Sequence, residues 1–237
     1  MEFAKRKNLW RDESGAAMVE FTAAALTFFL IVFGSVEFAN AYYQWNAATK
    51  AVQWGARVAA VSDPVSDDLK TLKGTESGAI PGAAMPAFDR ICTSTSVTGS
   101  TGTCSPGGTY SAAAMQRIVF GLAGRTTCVA STTERDIGMC HLFTRIVDAQ
   151  KVTVRYQSTG LGYAGRPGTG GNTGGPVPTI TVSLHQRANA NDTNVLQFQF
   201  ILIGGLMNAA GAALPDFIDM PSFATTVTGE DLTAVGS

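Results

Sequence analysis

The sequence predicts an α+β fold, in which a long N-terminal transmembrane and amphipathic helix packs on a small antiparallel β-sheet domain with disulfide-stapled loops. Residues 16–61 contain no proline and are rich in alanine, leucine, phenylalanine and methionine, which favour helix. Short segments of alternating hydrophobicity, bounded by turn residues, follow in the second half of the chain. A helical region followed by a run of strands is typical of the α+β class.

The first part of the helix is predicted to cross a membrane. Residues 16–36 are apolar apart from a few hydroxyls, and Glu20 is their only charge. At about 1.5 Å per residue they span roughly 31 Å, the thickness of the hydrocarbon core of a bilayer. A carboxylate inside such a run costs about 2.5 to 3.5 kcal/mol on insertion, which marks Glu20 as a candidate functional residue.

The flanking charges predict the orientation of this single pass. Four basic residues precede the apolar run (Lys5, Arg6, Lys7 and Arg11), so the N-terminus is expected in the cytoplasm and residues 62–237 on the other side. Glu37 lies at the outer edge of the run and is predicted to be a solvated interface residue. Tyr42, Tyr43 and Trp45 are expected at the membrane interface, which aromatic side chains prefer.

Beyond residue 36 the helix is predicted to be amphipathic and to dock under the domain, before Asp63-Pro64 ends it. The face predicted to dock carries Phe38, Ala41, Tyr42, Trp45, Ala48, Thr49, Val52, Ala56 and Ala59, and the opposite face carries Asn46, Lys50, Gln53 and Arg57.

Four cysteines favour an oxidising compartment. Eleven residues separate Cys92 from Cys104, and eleven separate Cys128 from Cys140, a spacing that predicts two local disulfides although four cysteines allow three connectivities. A zinc site would need CxxC-type spacing with nearby histidines. Only His141 is adjacent to a cysteine, so no metal is predicted.

Downstream of the helix, the pattern predicts a short helix over 111–121 and strands over 151–156, 179–184, 195–202 and 223–228. Residues 62–110 are rich in glycine, serine and threonine and are predicted to be loops that cannot bury a core. Residues 204–214 are apolar and uncharged, and fit either a buried turn or a second lipid-facing surface.

No pattern in the chain indicates catalysis, a cofactor or nucleic-acid binding. Residues 160–165 match GxGxxG formally, but Arg166-Pro167-Gly168 follows where a dinucleotide site requires a helix to begin. Two isolated histidines and scattered serines offer no nucleophile–base pair. The net charge of −1 gives no attraction for a polyanion.

The N-terminal sequence resembles a known family. Ser14-Gly15-Ala16-Ala17-Met18-Val19-Glu20-Phe21 is similar to a class III prepilin signal. With residues 33–43 and Gly55-Ala56-Arg57, it resembles the TadE-like pseudopilins of Tad/Flp-type (type IVc) pili, bacterial proteins of the inner membrane.

This resemblance implies that prepilin peptidase removes a leader, residues 1–15, by cutting between Gly15 and Ala16. It also implies that Glu20, beside Phe21, pairs with the new amino terminus and sets the register of the helix during assembly. The implied partners are the peptidase, other minor pilins and the major pilin, the inner-membrane pilus platform and membrane lipid.

Two alternatives stay open. Ala39-Asn40-Ala41 is a possible signal-peptidase site, and cleavage after Ala41 would release a secreted binding or adhesion domain. The length of the apolar run and the presence of Glu20 disfavour a conventional signal peptide. The second alternative is a periplasmic protein anchored by an uncleaved helix.

Overall fold

A computed structural model shows the architecture and describes residues 13–131, 133–146, 148–165, 176–184, 195–202 and 217–229. The long helix α1 spans Glu13–Val61 and ends at the predicted residue. Most of the predicted leader and the apolar segment 204–214 lie outside the described residues. Together with the sheet and disulfides described below, α1 confirms the predicted α+β class.

Five strands form an antiparallel sheet in the order β2-β1-β3-β4-β7. The strands are β1 (Asp89–Ser94), β2 (Gly102–Ser105), β3 (Val152–Gln157), β4 (Thr179–Leu184) and β7 (Ala224–Thr228). Two shorter strands, β5 (Gln197–Gln199) and β6 (Phe217–Asp219), pair separately.

The prediction that residues 62–110 cannot contribute to the core was wrong. This region provides β1 and β2, and its Val65, Leu69 and Cys92 are fully buried. The apolar side chains that it buries are few and scattered, so no periodic run of the usual strand formers marks these strands. Instead, Cys92 pairs with Cys104 across β1 and β2 and the two are joined by a disulfide.

The chain divides into two compact units. The first contains the N-terminal part of α1 up to Tyr43 and the segment Gln199–Phe217. The second contains Gln44–Phe198 and Ile218–Ser237, and it holds the main hydrophobic core. Small residues of α1, from Ala47 to Ala60, share this core with alternate side chains of β3 and β4.

Two shorter helices complete the second unit. Helix α2 (Ala112–Phe120) lies within the predicted segment, and Gly121 ends it with a left-handed backbone, φ +95°. Helix α3 (Met139–Leu142) places the buried Met139 against α1. A Cβ at Gly55 would lie 2.5 Å from the Met139 sulfur, so the glycine permits this close approach.

Tyr156 on β3 is fully buried, and its hydroxyl oxygen accepts a hydrogen bond from the Val65 backbone N–H at 2.9 Å. Burial raises the pKa of the phenol, so it stays protonated. Tyr156→Phe would leave the buried N–H without its acceptor, and we expect the free energy of unfolding to fall by about 1–3 kcal/mol.

Urea unfolding of the full chain in detergent measures this loss. Tyr163→Phe alters a half-exposed tyrosine and serves as the control, with an expected change below about 0.5 kcal/mol. Equal unfolding midpoints for the two variants would contradict the role given to Tyr156.

Candidate functional site

The N-terminal part of α1 presents its apolar side chains to the outside. In the most apolar 18-residue window of the helix Gly15–Val61, where mean hydropathy is 2.1, none of the residues is buried. The large exposed side chains include Phe21, Leu26, Phe28 and Ile31. By length and composition this helix can cross a membrane.

The hydroxyl groups in this stretch are satisfied within the helix itself. Thr22 donates to the carbonyl of Met18 at 2.7 Å, and Ser35 donates to Ile31 at 2.8 Å. Thr27 bonds in the same way, to the carbonyl four residues earlier. Such internal bonds suit a lipid environment, where no water can replace a missing partner.

Glu20 is the exception among the polar side chains of residues 16–36. It is exposed, and within the described part of the chain it has no hydrogen-bond or ion-pair partner. In lipid, a lone carboxylate favours pairing with a cation. Glu20 therefore offers an unsatisfied charge to another group.

Gly15 and Ala16 lie within α1, which already includes Glu13 and Ser14. Gly15 is exposed, and a Cβ there would meet no atom within 4 Å.

Ala16 and Glu20 are four residues apart, so they lie one above the other on one helix face. A chain beginning at Ala16 would carry its amino group about 6 Å along the axis from Glu20, by the rise per residue. Phe21, the next site residue, is exposed and points to a different side of the helix. The arrangement allows an ammonium–carboxylate pair within one chain or between two chains.

A shallow groove borders this region. It has a volume of about 380 Å³ and is lined by Met18, Val19, Thr22, Ala23 and Leu26. The small side chain of Ala23 lies between larger neighbours, and Ala23 is three residues after Glu20. Grooves at small residues are where helices in membranes approach each other closely.

The prediction that Glu37 is solvated was wrong. Its side chain is buried, with a relative exposure of 5%. Its carboxylate accepts hydrogen bonds from the backbone N–H groups of Ile201, at 2.6 Å, and Leu202, at 3.3 Å. No sequence pattern links Glu37 to a segment 164 residues away, which is why sequence reasoning missed this contact.

The predicted docking face of α1 was also wrong at its beginning, since Phe38 and Tyr42 are exposed. The covered face instead passes through Glu37 and Gln44 before it reaches the small residues of the core. The face predicted to be exposed does carry exposed side chains at Lys50, Gln53 and Arg57.

Like Glu37, Gln44 forms a hydrogen bond with a residue that is far away in the sequence. Its side-chain oxygen accepts a hydrogen bond from the Arg145 guanidinium at 2.8 Å. In the same unit, Trp45 packs edge-to-face on Phe223, with ring centroids 4.9 Å apart. Trp45 therefore has a packing partner in the domain, besides any role at an interface.

Cys128, Cys140 and His141 bring potential metal-ligating atoms within 4.8 Å of one another. The two sulfurs are bonded to each other, so neither is a thiolate that could bind a metal. One nitrogen of His141 accepts from the Gly138 N–H at 3.1 Å, so the other donates to the Val129 carbonyl at 2.7 Å. This arrangement supports the loop that the disulfide closes.

In a comparison with protein families, residues 15–57 match the model of the family described as TadE-like protein. The match begins at Gly15 and includes Glu20, Glu37 and Gly55, and it ends before the sheet. Searches against curated proteins and against solved structures give no match.

Proposed function

We propose, from the premise that this chain is a TadE-like protein of the Tad pilus system, that it acts as a minor pilin in assembly, initiation or the tip of an adhesive pilus. The observation that carries the proposal is Glu20. It is the unsatisfied charge on an exposed apolar helix, and it lies one helical turn after Ala16. Its mechanism is assembly, without catalysis or a cofactor.

Processing is the first step of the proposed mechanism. Prepilin peptidase cuts between Gly15 and Ala16 on the cytoplasmic side of the inner membrane and leaves an amino group on Ala16. The exposed position of Gly15 supports access by the peptidase.

The helix then holds the chain in the inner membrane as a single pass, with the N-terminus in the cytoplasm. The basic head before the apolar run supports this orientation. The domain with its two disulfides lies in the periplasm, an oxidising compartment in which such bonds persist.

Assembly follows when the chain leaves lipid for contact with other subunits. Glu20 pairs with the Ala16 ammonium of its own chain or of a neighbour, and this pairing fixes the helices in register. The groove lined by Val19 and Ala23 gives a neighbouring helix a surface for close packing. The proposed partners are other minor pilins, the major pilin and the inner-membrane platform.

A minor role is favoured by the size of the domain. The resemblance implies a major pilin that is far shorter, whereas this chain carries a five-stranded sheet and two disulfides after its helix. A domain of this size suits a subunit that caps the pilus or presents its domain there, rather than one that repeats along the shaft.

The alternative is a secreted domain cut by signal peptidase after Ala41. In the structure, Ala39–Ala41 lie in the interior of α1, which continues for twenty residues beyond them. Cleavage there would also remove Glu37 and with it the two hydrogen bonds to residues 201 and 202. These observations favour the pilin-like role.

The test is to shear surface pili from cells and measure this chain and the major pilin by quantitative mass spectrometry. We expect the chain in the pilus fraction at a small fraction of the major subunit, and we expect cells that lack it to carry few pili. Normal piliation without the chain, together with its absence from sheared pili, would contradict the proposal.

A further inference from the structure

Glu37 makes an unusual contact for a carboxylate at the edge of an apolar helix. It is buried, and two consecutive backbone N–H groups, of Ile201 and Leu202, donate to it. A buried carboxylate is costly when it is unpaired, and these two N–H groups satisfy it. The contact holds a distant part of the chain against α1.

The contact lies at the end of the apolar part of α1. Val36 ends the apolar run that is long enough to cross a bilayer, and Glu37 is the next residue. Ile201 and Leu202 are therefore held where the helix passes from hydrocarbon to the lipid headgroups.

The surface around this contact is apolar and exposed. Phe38 has a relative exposure of 75%, Tyr42 of 63%, Tyr43 of 71% and Ile201 of 62%. The sequence has no charged residue between Phe38 and Thr49 and none from 195 to 215. Large exposed apolar side chains without nearby charges mark an interaction surface.

We propose that these four side chains form a collar that sits in the outer headgroup region of the bilayer, and that Glu37 holds Ile201 in it. The occupant is lipid because the collar continues directly from the membrane-crossing part of the same helix, and because tyrosine rings prefer that interface. The inference rests on the proposed membrane insertion and adds a second membrane contact to it.

Single nitroxide labels test the collar. The two disulfides together use all four cysteines, so an introduced cysteine provides the one free thiol for labelling. Labels are placed at Ile201→Cys, at Phe28→Cys in the apolar run and at Val97→Cys in the domain. The labelled full chain is reconstituted sparsely into vesicles of phosphatidylethanolamine and phosphatidylglycerol, and collisions with oxygen and with a water-soluble nickel complex are measured.

We expect the label at residue 201 to collide more with oxygen than the label at residue 97 does, and less than the label at residue 28 does. In the Glu37→Ala background, the label at 201 should take the water-exposed profile of the label at 97. Glu37→Gln keeps one carbonyl acceptor and should give an intermediate shift. The labels at 28 and 97 should not change in either background, which shows that the chain remains folded and inserted.

A water-exposed label at residue 201 in the otherwise unchanged chain would overturn the collar, provided that the label at 28 lies in hydrocarbon. A water-exposed label at 28 would instead overturn the proposed membrane insertion. Dipolar coupling between labels at 201 would mean that a second copy covers the surface and would also overturn the collar. A profile at 201 that is unchanged by Glu37→Ala would overturn the role of Glu37.

Discussion

Replacing Glu20 by glutamine is expected to lower the amount of this chain in sheared pili by about 100-fold. The change removes the carboxylate, and the Ala16 ammonium therefore loses its proposed partner. An unpaired charge in a membrane helix costs about 2.5 to 3.5 kcal/mol. Since 1.4 kcal/mol corresponds to a factor of ten in an equilibrium, about 3 kcal/mol corresponds to about 100-fold. Quantitative immunoblots of pilus and membrane fractions measure the ratio.

Glu76→Gln is the matched control, because it makes the same chemical change at an exposed residue of a short 3-10 helix in the domain, Thr75–Ser77. We expect this variant to enter pili at the normal level. Both variants should be processed and retained in the membrane, which separates assembly from stability. Incorporation of Glu20→Gln at the level of Glu76→Gln would show that the carboxylate has no role in assembly.

Removal of the Cys92–Cys104 disulfide by a double change to alanine is expected to lower the free energy of unfolding by about 3 kcal/mol or more. The chain-entropy model assigns roughly 3 kcal/mol to a loop of this length. Both half-cystines are also buried between β1 and β2, so truncation removes packed atoms as well. Urea unfolding of the full chain in detergent provides the measurement.

The second disulfide, Cys128–Cys140, is a built-in comparison. It has the same sequence separation of 12, so the chain-entropy contribution is the same, but only Cys140 of this pair is buried. The corresponding double alanine variant should therefore lose less stability than the first. An equal or larger loss would contradict the argument that burial of the Cys92–Cys104 pair adds to its effect.

The parts of the fold that the sequence predicted well are those in which periodicity and burial agree. Helix α1 ends at Val61 because Pro64 disfavours helix in the residue before it. Strand β4 spans the predicted residues 179–184, where every second side chain is apolar and buried. In both elements the local sequence pattern is enough to predict where the element ends or which side chains are buried.

The parts that sequence reasoning missed depend on partners far away in the chain. Strands β1 and β2 have few apolar residues, and their pairing relies on the Cys92–Cys104 bond and on β3. Glu37 and Gln44 lie on the covered face of α1, although a polar side chain normally predicts exposure. Each is satisfied by a group more than 100 residues away, and no periodicity reports such a bond.

The candidate site divides in the same way. The relative positions of Gly15, Ala16 and Glu20 could be predicted because their spacing along one helix determines that geometry, whereas their roles come from the resemblance and stay a prediction. Glu37 was found only through its contact with residues 201 and 202, and the apolar surface around it follows from that contact.

The most direct test of the central claim is the N-terminal mass of the chain from cells with and without prepilin peptidase. Gly15→Leu and Gly34→Leu form a matched pair, because a Cβ at either glycine would meet no atom within 4 Å. We predict a start at Ala16 for the unchanged chain and for Gly34→Leu when the peptidase is present. Gly15→Leu should keep its leader, as should every chain in cells without the peptidase. A start at Tyr42 that does not depend on the peptidase would contradict the pilin-like account.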